Sequence, residues 1–219
     1  MSGSNNNQDV IEILAPYVTP ERQEKIESIL DHRSYGLTLL LESLYDRGNI
    51  NAIFRTAENF GIQDIHVVEN AKVSKKNRTT KGAHNWIDVY HWSDSLKSIK
   101  EIKDRGYRLV VTALCDEAQD LESFEWSERD CVVLGREITG CSPEMIEQAD
   151  VLLQIPTVGF TQSLNVSIAG AIIISSWHQK VKDRNRPLTT DERLALKAKF
   201  YKKAAPPRMV EVLQKKEFI

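Results

Sequence analysis

A strand, helix, strand pattern near the beginning of the chain constrains the fold most. Residues 37–44 read LTLLLESL, an apolar run typical of a buried strand. Residues 50–60 carry apolar side chains at helical spacing, with Asn49 as the expected N-cap and Gly61 just beyond the end. The run DIHVVE over residues 64–69 follows as a second strand. This order within about 30 residues indicates parallel strands joined by a right-handed crossover.

The rest of the central region repeats this alternation. Residues 107–114, 131–134 and 151–155 are three further strand candidates. Between and after them the sequence predicts three helices: residues 93–105 capped by Ser93, a short helix from Pro143 capped by Ser142, and an apolar helix from about Asn165 to Lys180. We therefore expect an α/β fold, a parallel sheet with helices on both faces.

Helices are also expected at both ends of the chain. Residues 1–9, rich in Ser and Asn, are expected to be disordered, and residues 21–32 form a helix too short to stand alone. Residues 191–203 and 208–216 read as amphipathic helices. The predicted organisation is an N-terminal extension over 1–36, a core over 37–182 and a C-terminal extension over 183–219. The basic residues of the tail fit either an exposed charged face or a second RNA contact.

Composition excludes several classes of protein. The chain has 219 residues, of which 41% are hydrophobic and 27% charged, as in ordinary soluble globular proteins. Its formal net charge of −2 gives no global argument for nucleic-acid binding, so any RNA surface must be local. No apolar run reaches the roughly 18 residues of a membrane span, and the polar N-terminus does not resemble a signal peptide. We expect a cytoplasmic protein.

Cysteine and histidine usage gives no indication of a metal site. Cys115, Cys131 and Cys141 lack metal-ligand spacing, and the first two are expected to be small buried residues. The five histidines are scattered without a paired ligand pattern. No metal is expected.

Two glycine-bearing loops each follow a strand and precede a helix. They cover residues 135–140 and 156–163. If the two loops lie next to each other in a parallel sheet, they would together enclose one ligand. Neither is a phosphate-binding P-loop, and no strand-linked GxGxxG fingerprint is present. Ser163 and Asn165, at the end of the second loop, are either helix caps or ligand-binding groups.

A basic segment over residues 72–86 reads KVSKKNRTTKGAHNW. It has no periodicity, which favours a solvated loop. Its cations, hydroxyls and aromatic rings also suit phosphate contacts and base stacking. The RNA-binding candidates in this segment are Lys75, Lys76, Arg78, Lys81 and His84.

Three sequence motifs together resemble a known enzyme family. They are DRGNINAIFRTAENFGI at residues 46–62, VVLGREITG at residues 132–140 and IPTVGFTQSLNVSIAGAIII at residues 155–174. In order and spacing they resemble the motifs of SPOUT-type RNA 2′-O-methyltransferases, over about residues 37–180. Within that superfamily the chain is most similar to the TrmH group, which methylates a guanosine in the D loop of tRNA. Close ribosomal-RNA methyltransferases share the three motifs.

The resemblance implies a fold, a cofactor and an assembly. The fold would be the SPOUT fold, in which the last part of the sheet region passes through a loop as a deep trefoil knot. Members bind S-adenosylmethionine in the knot and act as homodimers with the site near the subunit interface. The implied cofactor-binding residues are Leu134, Gly135, Ile155 and Leu164. The implied catalytic residues are Arg55, Asn49, Glu137, Ser163 and Asn165.

The residue types agree with methyl transfer to a ribose hydroxyl. Because a guanidinium resists deprotonation, we expect Arg55 to clamp the phosphate beside the target ribose and polarise the hydroxyl rather than act as a base. Glu137 either takes part in the reaction or braces its loop, and Ser163 and Asn165 either shape the loop or bond to Arg55. The expected activity is S-adenosylmethionine-dependent methylation of a ribose 2′-hydroxyl in tRNA. A ribosomal-RNA 2′-O-methyltransferase and a catalytically silent RNA-binding dimer are the alternatives.

Overall fold

The computed structural model describes residues 2–69, 82, 85–161, 163–181 and 187–215. The chain divides into two compact units. Ser34–Arg186 forms one, here called the sheet unit, and Met1–Arg33 with Pro187–Ile219 forms the other, here called the helical unit.

The sheet unit is built on parallel strands, in the order β3-β2-β1-β6-β4-β7-β5. Every neighbouring pair of strands runs parallel, which confirms the predicted parallel α/β fold. The strands within the described residues are β1 (Leu37–Glu42), β2 (Asp64–Val68), β3 (Asp88–Trp92), β4 (Arg108–Thr112), β5 (Gln119–Asp120), β6 (Asp130–Leu134) and β7 (Val151–Gln154).

Helices cover both faces of this sheet. They are α3 (Arg47–Asn59), α4 (Ser95–Asp104), α5 (Pro143–Glu147) and α6 (Val166–Val181). On one face Ile53 of α3 and Ile173 and Trp177 of α6 enter a continuous apolar core. On the other face Ile102 of α4 and Met145 of α5 pack in a second apolar cluster. The central strands, buried on both faces, are the continuous apolar runs that the sequence shows.

Two strands and two helix caps differ from the sequence predictions. β3 and β5 were not predicted: β3 is a partly exposed edge strand without a continuous apolar run, and β5 has two residues. α4 is capped by Asp94 rather than Ser93, since the Asp94 carboxylate accepts a hydrogen bond from Lys97 N. α3 is capped by Asp46 rather than Asn49, which frees the Asn49 side chain for other contacts.

The helical unit contains α1 (Ser2–Leu14), α2 (Pro20–Leu30), α7 (Thr190–Ala204) and α8 (Pro207–Lys215). α7 packs against α1 and α2. The short helix predicted over residues 21–32, which is α2, is therefore covered by helices of its own chain. Arg193 of α7 forms ion pairs with Glu27 at 2.7 Å and Asp31 at 2.8 Å, and Lys197 also pairs with Glu27. Part of the tail's positive charge is therefore neutralised within the unit.

The structure corrects the expectation that residues 1–9 are disordered. α1 begins at Ser2, and Val10, Ile11 and Leu14 on one of its faces are buried. The polar composition of the first nine residues concealed an apolar face that begins only at the tenth. Among the described residues no helix has the length and apolarity needed to cross a membrane.

Candidate active site

The strand order brings four loops to one edge of the sheet. β1, β6, β4 and β7 are consecutive neighbours and parallel, so the segments that follow them all lie at their carboxyl ends. These segments contain the two glycine-bearing loops and the start of α3. Ligands of open parallel sheets bind at this edge.

Three of the predicted catalytic residues form one hydrogen-bonded chain there. Asn49 Nδ2 donates to Glu137 Oε1 at 3.1 Å, and Asn165 Nδ2 donates to Asn49 Oδ1 at 3.1 Å. The partners are 88 and 116 positions apart in the sequence, and each comes from a different one of the three motifs. We call Asn49, Glu137 and Asn165 the polar triad.

Glu137 also holds the loop between β1 and α3. Its carboxylate accepts hydrogen bonds from Tyr45 N and Asp46 N, both at 3.3 Å. Partial burial raises the pKa of Glu137, but the bonds from Asn49 and from backbone N–H groups outweigh burial and leave the pKa below its ordinary value. The carboxylate is therefore charged at neutral pH and a weak proton acceptor. Glu137 therefore braces the loop between β1 and α3, whereas the loop-bracing alternative concerned its own loop.

The two asparagines of the triad differ in their relation to the helices. Asn49 lies in the first turn of α3 and is almost completely buried, with Asp46 serving as cap. Asn165 precedes α6, and its Oδ1 accepts hydrogen bonds from Ser167 N at 2.9 Å and Ser167 Oγ at 2.7 Å. Asn165 thus satisfies the helix start with its oxygen and joins the triad with its nitrogen.

A cavity of about 770 Å³ adjoins the triad. Its volume lies within the ordinary range of small-molecule sites, roughly 300–1,000 Å³. All four predicted cofactor-binding residues line it, as do Glu137 and Ser163. The walls are mainly apolar side chains and loop backbone, which suit an adenine ring and the hydrogen-bonding edge of a nucleoside. The lining residues include Leu134, Gly135, Ile138, Leu152, Ile155, Leu164 and Ile173.

Gly135 explains why the first glycine loop can close the cavity. A Cβ atom at this position would lie 2.7 Å from Cys141 Cα and still closer to Cys141 N and Gly140 C. The loop returns on itself here, with Arg136 N and Gly140 N each donating to the other residue's carbonyl oxygen at 3.0 Å. Only glycine permits this backbone approach.

Comparison with protein families matches residues 36–175 to the SpoU rRNA Methylase family. This range contains all three motifs, the triad and the cavity. The chain belongs to the SpoU rRNA methylase family. The resemblance carried by the three motifs is thereby confirmed.

Relatives of this SpoU protein include named tRNA enzymes. A tRNA (guanosine(18)-2′-O)-methyltransferase of Borreliella burgdorferi is 32% identical over 195 residues, covering 88% of this chain and 89% of the relative. The Escherichia coli protein of the same name is 30% identical, covering 72% and 69%. The crystal structure described as A. aeolicus TrmH/SpoU tRNA modifying enzyme has a TM-score of 0.75 and 27% identity, covering 84% of this chain and 96% of that one.

Arg55 lies apart from the triad of this SpoU protein. It is exposed on α3, and no hydrogen bond or ion pair joins it to another residue in the described part of the chain. Of the two alternatives for Ser163 and Asn165, bonding to Arg55 is not seen within one described chain. Arg55 lies six positions after Asn49 in the α-helix, which places the two side chains about 120° apart around the axis. Ser163 lines the cavity and is exposed.

The predicted RNA-binding residues lie outside the described residues. This holds for Lys75, Lys76, Arg78, Lys81 and His84.

Two groups of site residues were not predicted from the sequence. The backbone N–H groups of Tyr45 and Asp46 bind Glu137, and residues 112–115 with Glu117 line the cavity. The second group follows β4, which lies between β6 and β7 in the sheet. Predicting its place in the cavity requires the strand order, which apolar runs in the sequence do not reveal. Cys115 belongs to this wall and is partly exposed, not buried as expected, whereas Cys131 is buried. No candidate metal-binding cluster occurs among the residues described.

Proposed function

We propose that this protein transfers the methyl group of S-adenosylmethionine to a ribose 2′-hydroxyl in tRNA, at a guanosine of the D loop. The observation that carries the proposal is the polar triad, to which each of the three motifs contributes one residue, beside a nucleoside-sized cavity lined in part by residues of the second and third motifs. Relatives that are 30% and 32% identical over most of this chain are named tRNA (guanosine(18)-2′-O)-methyltransferases. With tRNA as substrate, we propose that the protein acts in the cytoplasm.

S-adenosylmethionine, when bound, supplies a methyl group on a sulfonium and becomes a neutral thioether. Leu134, Gly135, Ile155 and Leu164 would hold it in the cavity, and the close-packed loop at Gly135 keeps the cavity walls in place. The chain's contribution is to orient the ribose oxygen in line with the methyl carbon and to assist the loss of the hydroxyl proton.

Glu137 is assigned to orientation rather than proton transfer. Its pKa is held below the ordinary value and its oxygens already accept three hydrogen bonds. The carboxylate fixes the Asn49 amide, and Asn49 fixes Asn165. Together with Ser163 on the cavity wall, these residues would place the ribose. Arg55 would bind the neighbouring phosphate and polarise the hydroxyl, whose proton then passes to water.

We also propose that the protein is a homodimer and that Arg55 acts on the cavity of the partner subunit. α6 buries Ile173 and Trp177 in its own core, while Ile168 and Ile172 on another face are 52% and 38% exposed. An exposed Arg55 outside the cavity of its own chain supports action across an interface.

The knot of the SPOUT fold is part of this proposal. Its support is that β4 lies between β6 and β7 while the loops after β6 and β7 line one cavity. The basic segment over 72–86 is proposed as the tRNA contact, with Lys75, Lys76, Arg78, Lys81 and His84 facing phosphates and bases.

Transfer of a labelled methyl group to bulk tRNA and bulk ribosomal RNA tests the proposal. Wild-type protein is expected to label tRNA at a single D-loop guanosine, located by mapping the methylated nucleotide. Arg55→Ala is expected to lower the rate by at least about a hundredfold, the scale of removing a group that stabilises developing charge. Labelling of ribosomal RNA alone would establish the ribosomal alternative. Binding of tRNA without any methyl transfer would establish the silent dimer.

A further inference from the structure

Glu42 is a buried carboxylate that the three motifs leave without a role. It is the last residue of β1, and 2% of its surface is exposed. Its Oε2 atom accepts a hydrogen bond from Ser142 N at 2.8 Å, across 100 positions of sequence. Burying a carboxylate is costly, so its retention at this point of the fold calls for a specific contact.

The chain turns sharply directly after Glu42. Ser43 has a φ of 55°, in the left-handed region that residues other than glycine rarely adopt. Its N–H donates to Val68 O at 2.9 Å, which extends the β1–β2 pairing and fixes the turn. The turn sends the backbone N–H groups of Tyr45 and Asp46 toward Glu137.

Two carboxylates thus connect the same two loops in opposite directions. Glu42, before the β1–α3 loop, binds the backbone at the end of the β6–α5 loop, whereas Glu137 in the β6–α5 loop binds the backbone of the β1–α3 loop. Ser142 follows Cys141, the residue against which Gly135 packs. A hydrogen bond that holds Ser142 N therefore holds the cavity wall formed by Gly135.

We propose that Glu42 is a positioning residue for the cofactor, holding the loop over residues 135–142 in its binding conformation through Ser142 N. Glu42 does not line the cavity and touches no reacting group. The inference rests on the proposed cofactor site, but the contact it invokes exists in the protein without ligand. Charge-assisted hydrogen bonds to backbone N–H groups are strong enough to set a loop conformation.

Substitution at Ser142 removes the donor with little other change. Ser142 has a φ of −67°, which proline adopts, so Ser142→Pro removes the N–H without requiring a change of φ at this position. Ser142→Ala is the matched control, since it removes the helix-capping hydroxyl and keeps the N–H. The Kd for S-adenosylmethionine, measured by calorimetry, is expected to rise about tenfold or more in the proline variant relative to the alanine variant, the fold-change of one charged hydrogen bond.

Substitution at Glu42 tests the acceptor. Glu42→Gln keeps an oxygen acceptor and is expected to bind S-adenosylmethionine within a few-fold of wild type. Glu42→Met keeps the shape without an acceptor and is expected to weaken binding about tenfold or more. Asp130→Leu is the stability control, because Asp130 is a fully buried carboxylate at the start of β6, bonded to Arg108 and Ser127 and remote from the cavity.

Hydrogen exchange of the unliganded proteins separates this proposal from the proposed function. Glu42→Met and Ser142→Pro are expected to speed exchange over residues 135–142, and Asp130→Leu is not. Unchanged exchange and unchanged Kd in either variant would overturn the positioning role. An equal loss of affinity in Asp130→Leu at equal thermal stability would overturn it as well. If wild type bound no S-adenosylmethionine, the proposed function would fail while the exchange comparison would still decide the role of Glu42.

Discussion

The absence of a side chain at Gly135 determines the shape of the cavity most directly. Gly135→Ala would force its Cβ into the backbone of Gly140 and Cys141, which cannot yield as a flexible side chain can. We expect the loop to open and the Kd for S-adenosylmethionine to rise at least about tenfold, equivalent to about 1.4 kcal/mol. Calorimetric titration of the purified variant measures this.

Gly159→Ala provides the matched control. Gly159 lies in the other glycine loop, and a Cβ there would meet nothing nearer than Thr161 Oγ1 at 3.9 Å. Its cofactor affinity is expected to stay close to wild type. Equal losses in the two alanine variants would show that close packing at Gly135 is not what shapes the cavity.

Asp64 and His66 form a buried polar pair far from the reaction chemistry. Burial raises the pKa of Asp64 to about 7, although Arg105 at 3.6 Å opposes this, and burial together with Arg105 lowers the pKa of His66 to about 4. Trp92 Nε1 donates to His66 Nδ1 at 3.0 Å, which places the proton of the neutral ring on Nε2. Both side chains are therefore neutral over much of the range between pH 4 and 7.

The two groups make opposite contributions to the pH dependence of stability. Above its ordinary pKa of 3.8, the unfolded Asp64 loses a proton that the folded chain keeps, so stability falls as pH rises to about 7. Below 6.5, the unfolded His66 gains a proton that the folded chain refuses, so stability falls as pH drops toward 4. Over much of this range the two contributions cancel in wild type.

Single substitutions are expected to expose each contribution. In urea unfolding between pH 4.5 and 7, the stability of Asp64→Asn relative to wild type is expected to rise with pH, and that of His66→Gln to fall. Each slope is at most about 1.4 kcal/mol per pH unit, the limit for one proton. Slopes of the same sign in both variants would refute the assignment.

The sequence identified the triad residues but not all their contacts. Asp46 and Asn49 are both favoured N-cap types three positions apart, so composition could not decide which one caps α3. The structure gives the cap to Asp46 and a buried place in the triad to Asn49. Arg55 was correctly placed on this helix, yet its distance from Ser163 and Asn165 depends on rotation about the helix axis.

At the scale of elements, the N-cap of α3 is expected to affect both the stability of the helix and the activity of the site. Asp46→Ala removes the carboxylate that accepts from Gly48 N at 2.7 Å, and is expected to cost about 1 kcal/mol. Because α3 carries Asn49, methyl transfer is expected to fall as well. Asp94→Ala, which removes the corresponding cap of α4, should cost a similar free energy of unfolding and leave the rate per folded molecule unchanged. Equal rates in the two variants would contradict the coupling.

The elements themselves were predictable where burial on both faces makes a strand a continuous apolar run. β1, β2 and β6 are buried at every residue and β4 at its three central ones, whereas β7 is mostly half-buried. α5 has a Ser-Pro start that fixes its first residue. β3, at the edge, alternates in character and lacks such a run. The wall after β4 was missed for a different reason: its place in the cavity follows from strand order, which long-range pairing determines.

At the scale of the whole molecule, the exposed face of α6 is the proposed dimer contact. Ile172→Glu places a charge on that face and is expected to convert dimers to monomers in sedimentation at micromolar concentration, because burying an unpaired charge is costly. Leu96→Glu is the control, since Leu96 is a 56% exposed residue of α4 on the opposite side of the sheet. Dissociation in the Leu96 variant, or a stable dimer in the Ile172 variant, would place the contact elsewhere.

Mixing inactive variants tests whether Arg55 acts across that contact. Arg55→Ala and Asn165→Ala homodimers are each expected to be inactive. In a mixed dimer, the Asn165→Ala subunit supplies Arg55 to the intact cavity of its partner, so one of the two sites is active. Because random exchange makes half of the dimers mixed, about a quarter of wild-type activity is expected. No recovery after proven subunit exchange would assign Arg55 to the cavity of its own chain.

The position of β6 between β1 and β4 has a consequence for synthesis on the ribosome. β1 begins at Leu37 and pairs with β6, which begins 93 positions later at Asp130. Until β6 emerges, a nascent chain can assemble β1 to β3 only as a partial sheet with an open apolar edge at β1, the kind of edge that invites wrong pairing. Translation speed and chaperone supply over this interval should therefore govern the yield of native protein.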